Sequence, residues 1–419
     1  MSTSSLSSTF LLIAFFVYCI AFLLFVVSIA GKRWGHNDPE RHVKKWGNIA
    51  FSFAVIGFLS HVTFFFTRWY EGGHIPTSNM YEFMTFLGMM ISLAFIIVYL
   101  LYRTPVLGMF ATPVSIIIVA YASVFPHDIQ PLIPALQSYW LKIHVTTAAA
   151  GEAFFGVGFA AGLMYLLRTV NYQGTSDKDR KEQRGIEFTL FVLLIIVGFV
   201  TAIFSFNASG YHAQFSEKVT FTDKSGQEQT IDQKVDYVLP PLFKPYQAEQ
   251  IEMKPFLGMS TAPLEAPYWM KGANAGRKLN TTVWSLLSGI ILYALLRLIA
   301  RKPLGAVISP LMGGIDAEDI DEISYRAIAI GYPIFTLGAL IFAMIWAAEA
   351  WGRFWGWDPK EVWALITWLF YAAYLHLRLS RGWQGKKSSW LAVLGFIVVM
   401  FTLVGVNLVI AGLHSYAGV

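Results

Sequence analysis

Between Trp346 and Trp363 the chain reads WAAEAWGRFWGWDPKEVW, with five tryptophans, a phenylalanine, two glutamates and one Asp-Pro in eighteen residues. Eight of the fourteen tryptophans fall between Trp346 and Trp390, more than two interfacial anchoring belts call for. So dense a run of flat indoles suits a shelf for a flat cofactor. Histidines offer the complementary chemistry. His144 opens one long apolar run and His414 closes the last, both at the boundary level of the tryptophans. Two imidazoles from separate helices are a common way to hold a haem iron from both faces, which makes His144 and His414 candidate axial ligands. Boundary histidines that bond neighbouring helices would look the same in sequence. Two more, His376 in FYAAYLHLRL and His61 in FLSHVTFFF, lie within other apolar runs.

The elements that must position these residues follow from composition. The 419 residues are 56% hydrophobic and 14% charged, with a mean hydropathy of +0.53, whereas soluble domains carry about 25% charge. The chain therefore reads as an integral membrane protein. Several apolar runs reach about 20 residues, the length a helix needs to cross roughly 30 Å of hydrocarbon. A barrel would instead alternate over ten-residue segments. The expected fold is all-α, a polytopic bundle of about ten transmembrane helices with a small extramembrane insert. A net charge of +5 is read by location and not as a sign of nucleic-acid binding. The single cysteine, Cys19, excludes disulfide, CxxC and cysteine-metal chemistry within one subunit. No basic stretch precedes the first run, which is long enough to span, so a cleavable signal peptide is not expected.

Spans are expected near 10–30, 47–67, 81–102, 106–125, 144–167, 188–206, 282–300, 327–348, 361–380 and 390–413. With the first connection inside, the inner loops carry 19 of the 31 Lys and Arg. Short outer loops carry only Arg68, Lys142, Arg353 and Lys360, and the long polar segment, exempt from the positive-inside rule, carries the other eight. This threading puts the tryptophan stretch on the outer side, periplasmic or its equivalent. Residues 1–206 then form membrane helices one to six, 207–278 an outer polar insert, and 279–419 helices seven to ten with the platform at 346–363. The insert contains SEKVTFTDKSGQEQTIDQKVDYVLPP, short Val/Tyr-bearing stretches between turn formers, as in a small β structure.

Depth separates the inner histidines. His376 is fifteen residues below Glu361, about 22 Å, and His61 is about 21 Å from the inner end of its own span. Within a core roughly 30 Å thick they differ by on the order of 13 Å and do not share an iron. His376 then lacks a partner ligand in this chain, and His61 reads as structural. In the shelf, Asp358, Pro359 and Glu361 have the spacing of an N-cap, a first-turn proline and a capping-box acid, so Asp358 starts a helix first and contacts a cofactor second. Trp351 and Trp355, four apart, would share a face of a helix, while Trp357 falls near the turn. Arg353 and Lys360 suit the propionates of a haem, as they would suit an interfacial role.

These residues carry a resemblance. WGRFWGWDPKEVW resembles the tryptophan-rich "WWD" signature of haem-handling proteins of cytochrome c assembly, and the chain is most similar to the CcsA/ResC type of System II. GGHIPTSNMYEFMTF resembles the SNxYE region of that family, KIHVTTAAAGEAFF the segment with its first outer histidine, YLHLRLSRGWQGKK its later membrane-histidine segment, and GVNLVIAGLHSYA its terminal histidine segment. The resemblance runs from about Gly73 to the C-terminus. It implies that His144 and His414 are the outer axial ligands, that Trp351, Trp355, Trp357 and Asp358 belong to the platform, and that His376 serves a membrane haem site. The companion histidine of His376 is then expected in a CcsB/ResB-type partner subunit. The insert 207–278 has no counterpart in the family pattern, and no large outer domain is fused to this chain.

The function so implied is haem transfer, with haem b as both ligand and substrate, to the outer shelf. There the vinyl groups meet the two cysteines of a CxxCH segment of apocytochrome c, and the chain acts as a subunit of a holocytochrome c synthase. The bond-forming thiols belong to the substrate, and the protein supplies orientation and iron protection. A b-type electron-transfer subunit would pair histidines about thirteen residues apart on one helix, and no span here has such a pair. A transporter would show paired broken helices at midplane. Haem export without ligation stays open, as does the choice between a bacterial plasma membrane and a thylakoid.

Overall fold

The computed structural model describes residues 6–31, 38–125, 127–129, 137–222, 228–270, 274–380 and 382–406, with side chains throughout except at 219–222 and 228–231. In chain order the helices are α1 (Leu6–Ala30), α2 (Pro39–Gly72), α3 (Met80–Tyr102), α4 (Pro105–Ala122), α5 (Tyr139–Thr169), α6 (Asp177–Ala208), α7 (Ala275–Ala300) and the short α8 (Leu304–Ile308). Then come α9 (Ala317–Phe335), a π-helical segment Thr336–Phe342, α10 (Ala343–Trp351), α11 (Pro359–Arg378), α12 (Lys386–Met400) and a second π segment, Phe401–Gly405.

Among the described residues nine helical stretches are long and apolar enough to cross a membrane: α1 to α7, the continuous Ala317–Trp351 run and Lys386–Gly405. The chain is an integral, multi-pass membrane protein with an all-α bundle. The remaining expected span, the ninth at 361–380, is α11, twenty residues long, or about 30 Å. Its composition is more polar, because it opens on Lys360 and Glu361, closes on His376 and Arg378, and holds Trp363, Trp368, Tyr371 and Tyr374 between. Several helices outrun their apolar stretches because polar caps fix their starts. In α2, Asp38 accepts from the Glu40 N–H at 3.0 Å and Pro39 takes the first turn, eight residues before the apolar run begins at Gly47.

The chain divides into two compact units, Met1–Gln183 with Gly305–Gly418, and Arg184–Leu304. In the first, the buried positions of α1, Leu11, Ala14, Tyr18, Ala21 and Phe25, recur at three- and four-residue steps, as do Gly47, Ala50, Ala54, Gly57, His61, Phe64 and Arg68 on α2. That is the spacing of a paired-helix seam. Its closeness depends on glycine, since a Cβ at Gly57 would stand 2.7 Å from the Tyr18 ring. Helix α5 lies at the centre of this unit, buried continuously from Ala148 to Ala149 and from Gly151 to Met164. Small residues let its backbone approach its neighbours: a Cβ on Gly151 would fall 2.6 Å from the Phe335 nitrogen.

In the second unit, α6 leads into a sheet of order β2-β1-β4, from β1 (Ala213–Thr222), β2 (Glu228–Tyr237) and β4 (Glu249–Met253), with a parallel pair β3 (Phe243–Lys244) and β5 (Leu264–Glu265). The hairpin pairs Ala213 with Tyr237 and Phe215 with Val235. Alternate residues Ala213, Phe215, Val235 and Tyr237 meet Tyr211 and Ala248 in a small core, the period-two pattern of a half-buried strand. Its end is closed by Glu217, whose Oε1 accepts from the Asn274 N–H at 2.7 Å. Burial raises the Glu217 carboxyl above the usual carboxylate range. Chain then returns through α7, where Asn280 Oδ1 accepts from Leu242 N–H at 2.8 Å.

Candidate functional site

The N-terminal end of α5 holds the first predicted ligand. Ser138 caps the helix by accepting from the Trp140 N–H at 3.1 Å, and His144 follows inside the second turn. Its Nδ1 lies 2.9 Å from the carbonyl oxygen of Gly338. A carbonyl only accepts, so Nδ1 carries the proton and the imidazole lone pair is on Nε2. The ring also stacks on Trp346, with centroids 5.6 Å apart and planes within 10°. Trp346 in turn packs with Leu141, Trp140, Val145, Ala350 and Trp351.

Gly338 belongs to the first π segment, which follows Pro333, a residue with no N–H to give to the ladder. A Cβ there would run into the Ala148 backbone nitrogen, so only glycine lets this carbonyl sit against α5 and reach His144. π segments of this kind recur at functional sites. The second, Phe401–Gly405, places Thr402 Oγ1 at 3.0 Å from Thr367 Oγ1 on α11.

The tryptophan loop is built by its two ends. Helix α10 stops at Trp351 because Gly352 adopts φ 67° and its N–H returns to Ala348 O. Asp358 then starts α11: its Oδ1 accepts from Lys360 N–H at 3.1 Å, and Glu361 Oε2 accepts from Asp358 N–H at 3.1 Å and Gly356 N–H at 2.7 Å. The capping box expected from Asp358, Pro359 and Glu361 is present. Trp351 and Trp355 do not share a helical face, since Gly352 ends the helix between them. Trp351 joins the Trp346 ring edge-on at 4.7 Å, and Trp355 meets Trp357 edge-on at 6.0 Å. Trp357 is 70% exposed and has a left-handed φ of 56°. Arg353 is exposed and folds over the loop, its guanidinium where a Cβ on Gly356 would be.

These pieces enclose a cavity of about 170 Å³ whose lining includes His144, Trp346, Trp355, Glu152, Lys360 and Thr402. His376 is not part of it. It lies exposed near the end of α11 on a stripe with Ile366, Leu369 and Leu379. His414 lies outside the described residues. His61 is fully buried beside Phe64, with the Tyr18 hydroxyl 3.4 Å from its Nδ1.

One wall of the cavity was not anticipated. Thr77 to Met80 line it, and this turn is held by a buried pair, Arg68 Nε to Glu82 Oε1 at 3.0 Å. Glu82 Oε2 accepts from the Ser78 hydroxyl and N–H at 2.7 and 3.1 Å, Asn79 Oδ1 caps α3 on the Glu82 N–H at 2.9 Å, and Arg68 also donates to His127 O at 2.7 Å. The sequence signal for it is Asn79 three residues before Glu82, the same capping spacing as Asp358 and Glu361. Glu152 and the π segments left no comparable signal.

Comparison with known proteins bears on the whole of this site. The family model described as Cytochrome C assembly protein matches residues 77–214 and 281–414, which include His144, the tryptophan loop, His376 and His414. The chain is 34% identical over 366 residues to the Cytochrome c biogenesis protein CcsA of Trichormus variabilis, covering 86% of each chain. It is likewise 34% identical to that of a Nostoc species over 86% of each, and 33% identical to that of Rippkaea orientalis over 87% of this chain and 86% of the relative.

Proposed function

The chain belongs to the cytochrome c assembly protein family, and on that premise we propose that it is the haem-handling subunit of a cytochrome c synthase. In this reading it carries haem b across or out of the membrane and presents it at the tryptophan loop for thioether attachment to the CxxCH cysteines of apocytochrome c. The observation that carries the reading is His144: its Nδ1 proton is held by Gly338 O at 2.9 Å, and the residue lines a cavity walled by Trp346 and Trp355. An imidazole oriented by a carbonyl on its other nitrogen is the usual state of a metal-ligating histidine. The aromatic walls suit a flat macrocycle.

When bound, haem supplies two vinyl groups for the thioether bonds and an iron that takes axial imidazoles. The residues of this chain then have separate tasks. His144 and His414 would hold the iron, Trp351, Trp355 and Trp357 would cover the ring, Arg353 would neutralise charge at its edge, and Asp358 acts through the start of α11. His376, on the exposed stripe of α11, serves a second haem position with a ligand from a CcsB/ResB-type partner. The excess of Lys and Arg in alternate connections supports an outer position for the loop, with 207–278 as an outer insert between membrane portions 1–206 and 279–419.

The test is the optical spectrum and pyridine haemochrome of the full chain with its partner, together with haem attachment to a CxxCH apocytochrome. His144→Ala and His414→Ala are each expected to lose the low-spin bis-imidazole spectrum and holocytochrome formation. Full haem retention and attachment in both single variants overturn the assignment.

A further inference from the structure

The unit that holds the β-sheet also presents an apolar hairpin tip that its core does not use. Phe256 N–H donates to Met259 O at 3.0 Å and Met259 N–H donates back to Phe256 O at 2.9 Å, so Leu257 and Gly258 are the two residues of a tight turn. Both have a left-handed φ, 48° and 82°, the backbone of a hairpin turn in which Asn-Gly or Asp-Gly is usual. A leucine there is costly, because its Cβ crowds the following carbonyl. Yet Leu257 is 85% exposed, more than any other Leu, Ile or Val among the described residues, so packing within the chain does not offset that cost.

The place of the tip supplies the reason. Phe256 packs edge-on against Phe206, with centroids 5.3 Å apart, and against Trp284 at 5.9 Å, and those two rings meet at 5.2 Å. Phe206 is two residues from the end of α6 and Trp284 is nine residues into α7, so the tip stands beside the ends of two helices long and apolar enough to span. It is fastened there. Lys254 Nζ donates to Ser209 O, just past α6, at 2.8 Å, and Trp284 Nε1 donates to Pro240 O at 2.7 Å. Only 22% of the apolar stretch of α6 and 6% of that of α7 is buried, so lipid surrounds both, and aromatic rings at the ends of spans mark the level of the membrane surface. From Pro255 to Leu264 the chain carries no charge, whereas the connection between β1 and β2 reads DKSGQ, the composition of a turn in water.

We propose that Leu257 inserts into the bilayer leaflet beside the sheet, and so anchors the sheet to the membrane surface at a third point besides α6 and α7. Its partner is the boundary between lipid headgroups and acyl chains, where aliphatic and aromatic side chains gain by leaving water. That burial offsets the cost of a left-handed leucine. A single side chain suffices, because Phe256 and Lys254 already hold the tip beside the spans. With three contacts in place of two, the sheet no longer rocks about the paired helix ends. The anchor does not depend on the haem reading above.

A spin label introduced by Leu257→Cys tests the anchor, in a full chain that also carries Cys19→Ala and is reconstituted at one chain per phosphatidylcholine nanodisc. Collisions with oxygen, which concentrates in lipid, are compared with collisions with a water-soluble nickel chelate. The same label introduced by Asp232→Cys, at an exposed position on β2, the opposite edge of the sheet from β4, is the water reference. At position 257 oxygen is expected to be favoured several-fold over the chelate, and at position 232 the reverse. Circular dichroism equal to that of the unlabelled chain shows that the fold tolerates both labels. Chelate preference at 257 overturns the anchor by placing the tip in water. Shielding of 257 from both reagents overturns it as well, by placing protein and not lipid over the tip. Oxygen preference at both positions also overturns it, because the contact would then not belong to the tip.

Discussion

Glu82 and Glu152 are both buried carboxylates on helices of the same unit, and they differ in completeness. Glu82 is 1% exposed and meets Arg68 and Ser78 at hydrogen-bonding distance. Glu152 is as deeply enclosed and has an orphan oxygen at a cavity. The two histidines differ in surroundings: His61 is fully buried among aromatic rings with an Nε2 that has no hydrogen-bond partner, whereas His144 is oriented by the Gly338 carbonyl and lines the cavity. A buried carboxylate whose oxygens are all bonded within the chain builds architecture, and one with an unbonded oxygen at a cavity carries a desolvation cost that the fold does not offset.

The largest break in this comparison comes from Arg68→Ala, which strands the Glu82 carboxylate. A loss of about 3–5 kcal/mol is expected, read as a lowered unfolding midpoint in detergent, whereas Glu152→Leu should leave the midpoint unchanged or raise it, because it removes a buried carboxyl oxygen that has no hydrogen-bond partner. Equal destabilisation by both would erase the distinction between them. Gly338→Ala is next. Its methyl would meet the α5 backbone at Ala148, costing about 1–3 kcal/mol and displacing the carbonyl that orients His144. The expected readout is a weakened histidine-ligated haem spectrum at temperatures where the chain is still folded. An unaltered spectrum would show that the imidazole needs no such support. Asp358→Ala should have the smallest effect, about 1 kcal/mol for a lost N-cap, measured again by the unfolding midpoint. A much larger loss of haem binding than of stability would give Asp358 a direct contact with the ligand.

Much of the fold was legible in order along the chain. Apolar runs located the spans, and Asp358-Pro359 with Glu361 located the start of α11, because helix length and capping depend on neighbours in sequence. The β insert was legible from short Val- and Tyr-bearing stretches between turn formers. Less visible was the wall at Ser78–Asn79, where Arg68 looked like an ordinary loop cation and is in fact 4% exposed. Its burial depends on Glu82 and the His127 carbonyl, fourteen and fifty-nine residues away.

By itself the sequence determined that this is a membrane helix bundle, and it picked out His144 and the tryptophan run as the residues to examine. Both follow from composition and local spacing, which need no partner elsewhere. Tertiary structure decided which nitrogen of His144 carries the proton, that Trp351 and Trp355 part company at Gly352, and that Glu152 Oε2 is buried without a hydrogen-bond partner. Those are outcomes of packing between segments far apart in the chain: Gly338 lies 194 residues from His144, and only the close approach of a glycine to the α5 backbone brings the two together.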